Sequence, residues 1–210
     1  MYALDIGRTE KIRSITRNIE KDLVAVSRRE DVAQATNLFA SAWSEIGKDQ
    51  KSELQKRYIK DNPNPLGEKH LLKKANANDA YDVVHEKYHP RFRELLEAGA
   101  YYDIFIISPE GDIIYSVFKE LDYATKLNSG EWKDTDLAKL YKDVMKSGNA
   151  SDVVFEDYHP YGPSNGAAAS FIGKAIVENG QKIGVLAFQM PTQSIADIVH
   201  NRTGLGKTGE

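Results

Sequence analysis

Apolar residues recur every three or four positions through roughly the first half of the chain, and in alternating or unbroken runs through most of the rest. Ile12, Ile15, Ile19, Leu23 and Val26 make a stripe on a helix from about residue 5 to 28, opposite a charged face of Arg8, Glu10, Lys11, Arg13, Arg17, Glu20 and Lys21. That stripe has two uses open to it, packing on a sheet of its own chain or pairing with its copy in a second chain. Packing is the simpler use, and a stripe this long often serves both. A second helix begins near Asp31, a suitable N-cap, carries Val32, Ala35, Phe39, Ala42, Trp43 and Ile46 inward, and stops at Gly47. Lys51 to Lys60 predicts a shorter helix with Leu54, Tyr58 and Ile59 inward, and Asp61-Asn62-Pro63-Asn64-Pro65-Leu66-Gly67 then breaks helix. Asn76 to Asp79 reads as a polar loop. Tyr81, Val84, Tyr88, Phe92 and Leu95 or Leu96 mark a helix over about residues 80–97, in which Pro90 predicts a kink or a split and Gly99 the end.

The pattern changes at Tyr101. YDIFII and DIIYSVF are strand-length apolar runs, and Ser108-Pro109-Glu110-Gly111 between them is a tight turn, so the pair predicts a β-hairpin. After a turn at Leu127-Asn128-Ser129-Gly130, Asp134 or Thr135 caps a helix with Leu137, Leu140, Tyr141 and Val144, ended by Gly148-Asn149. DVVFED (152–157) predicts a third strand and YHPYGPSNG (158–166) a loop. Residues 167–177 and 182–190 predict the fourth and fifth strands, joined by Asn179-Gly180, the strongest short hairpin signal. Pro191 opens a last helix with Ile195, Ile198 and Val199 inward. The order predicts an α+β fold: an antiparallel sheet of about five strands, one face covered by helices and the other free for a loop cover and a ligand.

Composition narrows the chemistry. With 28 basic and 31 acidic residues the net charge is −3, which gives no basic patch of the size nucleic acid demands. The absence of cysteine excludes disulfides, thiolate catalysis and zinc–thiolate sites. No apolar run approaches the roughly 18 residues of a membrane span. Both ends, the last being Thr203-Gly204-Leu205-Gly206-Lys207-Thr208-Gly209-Glu210, read as cut from a longer protein. There is no P-loop, no GxGxxG after a strand, no HExxH and no GxSxG, so no cofactor is expected and the chain does not read as an enzyme. His85 and His89 have the i, i+4 spacing that presents two metal ligands, but the zinc-protease glutamate is missing and Pro90 follows directly. Structural histidines are the expectation.

A binding pocket is better supported. Alternation along the second strand puts Ile113, Tyr115, Val117 and Lys119 on one face and Ile114, Ser116 and Phe118 on the other. Tyr115 and Lys119 then emerge together, and the loop 158–166 brings Tyr158, Tyr161 and Ser164 over them, with small residues Ala167 to Ala169 leaving room. Tyrosine offers an apolar wall with one hydroxyl, and lysine a charge for an anion, so a small carboxylate or polar metabolite is the expected ligand. The competing reading makes Tyr115 a core residue and pairs Lys119 with Glu120 or Asp122 on the surface.

The runs YYDIFIISPEGDIIYSVFKELDYATKL, DYHPYGPSNGAAASFIGKAIV and GQKIGVLAFQMP, with the closing TGLGKTGE, resemble Cache (PDC-type, PAS-like) extracytoplasmic sensor domains of bacterial chemoreceptors (methyl-accepting chemotaxis proteins) and sensor kinases. The resemblance covers roughly residues 80–210. It implies residues 1–79 as a long N-terminal helix and helical insert, 80–202 as the PAS-like ligand-binding domain, and 203–210 as the start of a linker. It further implies a periplasmic location, membrane anchoring of the whole protein, a short carboxylate such as acetate as ligand, and a homodimer along the first helix. Carried over residue by residue, the pocket is Tyr115, Lys119, Tyr158, Tyr161, Ser164 and Phe171, with Tyr102 and Asp122. The alternative is a protein–protein interaction module whose helical residues 30–98 dock a partner such as a periplasmic binding protein.

Overall fold

The computed structural model describes residues 2–191; the helix expected after Pro191 lies outside them. Helices α1 (Tyr2–Ser27), α2 (Glu30–Ile46) and α3 (Gln50–Gln55) come first, α3 running on into a π-helical turn at Lys56–Lys60. A short 3-10 turn at Lys69–Leu71 leads to α4 (Ala80–Gly99). Then come β1 (Asp103–Ile107), β2 (Ile113–Ser116), α5 (Asp136–Lys146), β3 (Val153–Pro160), β4 (Ala168–Glu178) and β5 (Gln181–Gln189). The five strands form one antiparallel sheet in the order β2-β1-β5-β4-β3, so the described chain is α+β as its pattern predicts. Among the described residues no helix is long and apolar enough to cross a membrane.

Local chemistry explains the element ends. The Asp79 carboxylate accepts the Asp82 N–H at 3.0 Å to start α4, and the Thr135 hydroxyl accepts the Ala138 N–H to start α5. The β1–β2 turn closes through the Gly111 N–H on the Ser108 carbonyl at 3.0 Å, with Gly111 at φ +88°, a backbone state that glycine adopts without cost. Two expectations need correction. Helix α4 is not divided at Pro90: burial of Tyr88, Phe92 and Leu96 on one face outweighs the single hydrogen bond that proline removes. Strand β3 runs on through Asp157, Tyr158, His159 and Pro160 instead of ending in a loop, because a bulge between Glu156 and His159 re-registers it against β4.

Alternation in the strands separates two cores. Ile104, Ile106, Ile172, Ile176, Leu186 and Phe188 face α1, α2 and α4, where Leu23, Phe39, Tyr81 and Phe92 meet them. Phe105, Ile107, Ala175, Val185 and Ala187 face α5, through Leu137, Leu140, Tyr141 and Val144. A Cβ on Gly173 would sit 2.4 Å from Leu140 Cδ2, a measure of how closely α5 lies on β4. The second face is therefore not open along its length: α5 packs on it, and a pocket lies at one end of the sheet.

Candidate functional site

At that end Asp103 opens β1 and Gln189 closes β5, and the two are register partners. Neither residue is exposed beyond 1%. The chain leaves β2 at Ser116 and turns repeatedly before Lys126. Lys119 and Ala124 take φ of +65° and +62°, and the N–H groups of Tyr123 and Thr125 bond the carbonyls of Glu120 and Asp122 at 3.1 Å. Asp103 ties these turns to the sheet. Its Oδ1 accepts the N–H groups of Ile104 (2.7 Å), Val117 (2.9 Å) and Phe118 (2.9 Å). From the other side comes the β3–β4 connection, a 3-10 turn over Gly162–Ser164 held by Tyr161 N–H on the Ala167 carbonyl.

These segments assemble a buried polar group. The Tyr161 hydroxyl donates to Asp122 Oδ2 at 2.6 Å, its ring standing edge-on to Phe171 at 4.9 Å. Tyr102 and Ser164 donate to the two oxygens of Glu120 at 2.7 and 2.5 Å, and the Gln189 amide nitrogen reaches Ser164 Oγ at 3.4 Å. In this group three polar atoms are buried without a partner, Asp103 Oδ2, Asp122 Oδ1 and Gln189 Oε1; His70 Nδ1, close by, is a further such atom among the described residues. Leaving such atoms unpaired is costly, of the order of 1–3 kcal/mol each. Burial pushes the Asp122 carboxyl up to about 7, with Tyr161 opposing and Glu120 adding. Burial, then the charge of Asp122, holds Asp103 well above the usual carboxylate range, against its backbone donors and Lys119. Burial also raises Glu120, opposed by the Ser164 and Tyr102 hydroxyls.

Outside this group lies a pocket of about 370 Å³. Its floor is Tyr102, Phe118, Lys119 and Glu120; its walls are Ile59, Leu66, Gly67 and Lys69 on one side and Leu121, Pro163 and Asn165 on the other. Tyr102 lies tilted against Phe118 at 4.9 Å, and His70 stacks on the same Phe118 ring at 5.2 Å. Lys119 is buried beneath the pocket. Its Nζ donates to the Ser116 carbonyl and lies 4.6, 5.0 and 5.8 Å from the ring centres of Tyr115, Tyr123 and Tyr58. Burial pushes this amine down to about 7, opposed by Asp103. The tyrosine cage compensates part of the desolvation through its ring faces.

The residues expected at the site divide into three groups. Tyr102, Lys119, Asp122, Tyr161, Ser164 and Phe171 are brought together at the sheet end. Tyr115 is not on the pocket wall. A bulge between Ile106 and Ile107 breaks the alternation of β2, so Tyr115 points into the helical core between Phe39 and Phe92, and its hydroxyl pairs with His89 Nδ1 at 2.7 Å. Tyr158 lies half-buried on β3 against the helical core, its hydroxyl without a partner, away from the pocket lining. Lys119 forms no ion pair with Glu120 or Asp122, since its ammonium is turned to Ser116. His85 and His89 stack at 4.3 Å, their Nδ1 and Nε2 atoms bonded to the Lys73 and His70 carbonyls respectively. The sequence pattern does not point to Asp103 or Gln189, and it offers Glu120 only as a surface partner for Lys119. The available signal was a charged or amide residue at the end of an otherwise apolar strand, in YYDIFII and GVLAFQM.

No family model matches the chain, and no curated protein matches it in sequence. Solved structures do. The sensor domain of the Vibrio cholerae histidine kinase DctB is similar at a TM-score of 0.43 and 12% identity, over 82% of this chain and 59% of that one. The ligand-binding domain of the Campylobacter jejuni chemoreceptor Tlp3, in complex with 4-methylisoleucine, is similar at 0.39 and 14%, over 84% and 63%. The ligand-binding domain of the Pseudomonas aeruginosa amino acid chemoreceptor PctC, in complex with GABA, is similar at 0.36 and 16%, over 80% and 66%. The chain thus spans about three fifths of the length of the first of these domains.

Proposed function

We propose that the chain is the small-molecule sensor domain of a bacterial transmembrane receptor, on the periplasmic side, with chemotaxis as its foremost output. The carrying observation is the set of three unpartnered buried polar atoms beside a pocket at one end of the sheet. The sequence resemblance to Cache sensor domains supports the same reading. The anionic ligand first expected relied on Lys119, and that ammonium is engaged by Ser116 and three tyrosine rings, which weighs against acetate-like ligands.

A route for the signal supports a sensor. Three successive residues lead away from the pocket: Asp103 among the buried acids, Tyr102 on the pocket floor, and Tyr101, whose hydroxyl donates to Asp22 of α1 at 2.7 Å. On the other side Gln55 of α3 donates to the carbonyls of Leu121 and Tyr123 at 3.0 and 2.7 Å. A ligand that prefers one arrangement of the 117–125 turns and the β3–β4 connection biases α1 through these bonds, by a population shift no larger than its preference. The stripe of α1 is divided: Ile19, Leu23 and Val26 are buried, whereas Ile12 and Ile15 stay partly exposed and suit pairing with a second copy.

The test is native mass spectrometry of the purified domain, followed by melting scans of the stripped protein against amines, amino acids, short carboxylates and sugars. A ligand at about 100 times its Kd adds roughly 2.7 kcal/mol. The reading expects a bound or stabilising small molecule whose effect Glu120→Gln or Tyr102→Phe weakens. A domain that arrives empty and responds to no member of the panel refutes it.

A further inference from the structure

Three features of the sheet end bear on the chemistry of the occupant. The first is the identity of the unpaired atoms. Gln189 Oε1 accepts, and Asp103 Oδ2 and Asp122 Oδ1 accept once their carboxyls are ionised, on residues no more than 1% exposed. A cationic ligand favours the ionised carboxyls and donates to all three atoms. An ammonium group carries three donors, a hydroxyl one and a carboxylate none. The second is charge. Three carboxyl groups, Asp103, Glu120 and Asp122, meet here, and the two lysines of the pocket face elsewhere. Lys119 is held by Ser116 and its tyrosines, and Lys69 Nζ donates to the carbonyls of Asn62 and Asn64 at 2.9 and 2.6 Å. No arginine lines the pocket. No free cationic side chain of the lining is therefore offered to a carboxylate. The third is the outer pocket, which is mostly apolar. Leu66 and Leu121 stand at its rim 83% and 52% exposed, an apolar cost to the empty domain that a hydrocarbon tail would relieve. Ser164 joins the two compartments, since it bonds Glu120 in the pocket floor and Gln189 in the buried group.

On the reading that this is a sensor site, we infer that its ligand is a primary amine with an apolar tail and no carboxylate: the ammonium enters between Asp103, Asp122 and Gln189 as Ser164 swings from Glu120, and the tail lies on Tyr102 and Phe118 under Leu66 and Leu121. The clamp against a carboxylate-bearing ligand is electrostatic, because an amino acid would place its second charge beside Glu120. Asp122 lies among Tyr161 on the β3–β4 connection, Asp103 on β1, and Glu120 and Lys119 on its own turns. Its ionised form is the one that an ammonium requires, so affinity rises with pH through neutrality.

Isothermal titration of the stripped domain tests this with 2-phenylethylamine and hexylamine, set against 2-phenylethanol, 3-phenylpropionate and phenylalanine. Both amines are expected to bind at least tenfold more tightly than the other three. Asp122→Asn should weaken them at least tenfold and remove the gain between pH 6 and 8. Leu121→Ser, at an exposed position, should weaken hexylamine severalfold and leave methylamine unaffected. Equal binding of the alcohol or the acid, or amine binding indifferent to Asp122→Asn, overturns the amine assignment while leaving a ligand pocket in place. Silence from all five compounds also overturns it, and the wider panel and native mass measurement above then decide separately whether the site senses anything.

Discussion

Replacing Asp122 by asparagine isolates the electrostatic cost that the empty site carries. The buried carboxyl holds its proton up to about pH 7, whereas in the unfolded chain it ionises near its ordinary value of 3.8. Between those values the unfolded state has released a proton that the native state keeps, so stability falls as pH rises from about 4 to about 7. For one group with these two values the loss between pH 5 and pH 8 comes to about 2.5 kcal/mol at 1.36 kcal/mol per unit. Asparagine preserves the shape and the acceptor for Tyr161 but does not titrate. It also removes the charge that raises Asp103, which flattens the profile further in the same direction. The assay is urea unfolding of both proteins at pH 5 and pH 8, the quantity being the difference between their pH responses, in which the carboxylates common to both cancel. Wild type is expected to lose about 2.5 kcal/mol more than the variant over this interval, or about 5–10 °C in Tm for a domain of this size. Parallel pH profiles for the two proteins would show that Asp122 ionises normally in the fold, and the argument from unpaired acceptors would lose its electrostatic half.

Lys119→Met probes the opposite slope. The native amine is neutral above about pH 7 and the unfolded one keeps its proton to about 10.5, so wild type gains stability above neutrality, by about 2 kcal/mol from pH 7 to pH 9. The variant should show no such gain in urea titrations at those two values. Gly184→Ala places a Cβ 2.8 Å from the Ile107 carbonyl oxygen across the β1–β5 ladder and should cost about 1–3 kcal/mol, read from the urea midpoint with an unchanged m-value. Tyr101→Phe removes the hydroxyl held by Asp22 of α1, costing about 1 kcal/mol in thermal unfolding. If that bond carries the signal, the variant should still bind ligand while a fluorophore on α1 no longer responds to it.

The helical layer and the strand order were legible because their signals are local. Three-and-four spacing, the cap at Thr135 and Asn179-Gly180 each act over a few residues, and packing agrees with them; Asp31 does not cap α2, whose N-cap is Arg29 without a side-chain bond, and Asp79, read as loop, caps α4. The pocket was legible only in part, and the misplaced residues share a cause. Tyr115 was assigned by strict alternation, which one bulge beside Ile107 inverts. Tyr158 was assigned to a loop that a second bulge turns into strand. A bulge adds one residue without altering composition, and each one moves every later side chain to the other face. Of the expected residues only Tyr102 and Lys119 line the pocket; Tyr161, Ser164 and Asp122 lie in the buried group beside it, in turns that alternation does not govern.

Asp103 and Gln189 show why the polar half of the site was not read from the pattern. In the sequence they terminate apolar strands, where a polar residue ordinarily marks the step into solvent. Here the strand ends are covered on one side by the turns from Val117 to Thr125 and on the other by Tyr161 to Ser164, two connections from opposite edges of the sheet order. Whether a terminal polar residue faces water or a ligand depends on that closure, a contact between segments about 40 residues apart, as in the Tyr161–Asp122 bond. The same closure links the candidate site to the helical layer. The covering segments bond through Tyr161–Asp122 and Ser164–Glu120, and Tyr101, two residues before the strand they cover, donates to Asp22 of α1. These side-chain bonds therefore lie between the pocket and α1, where the proposed shift of population would have to act.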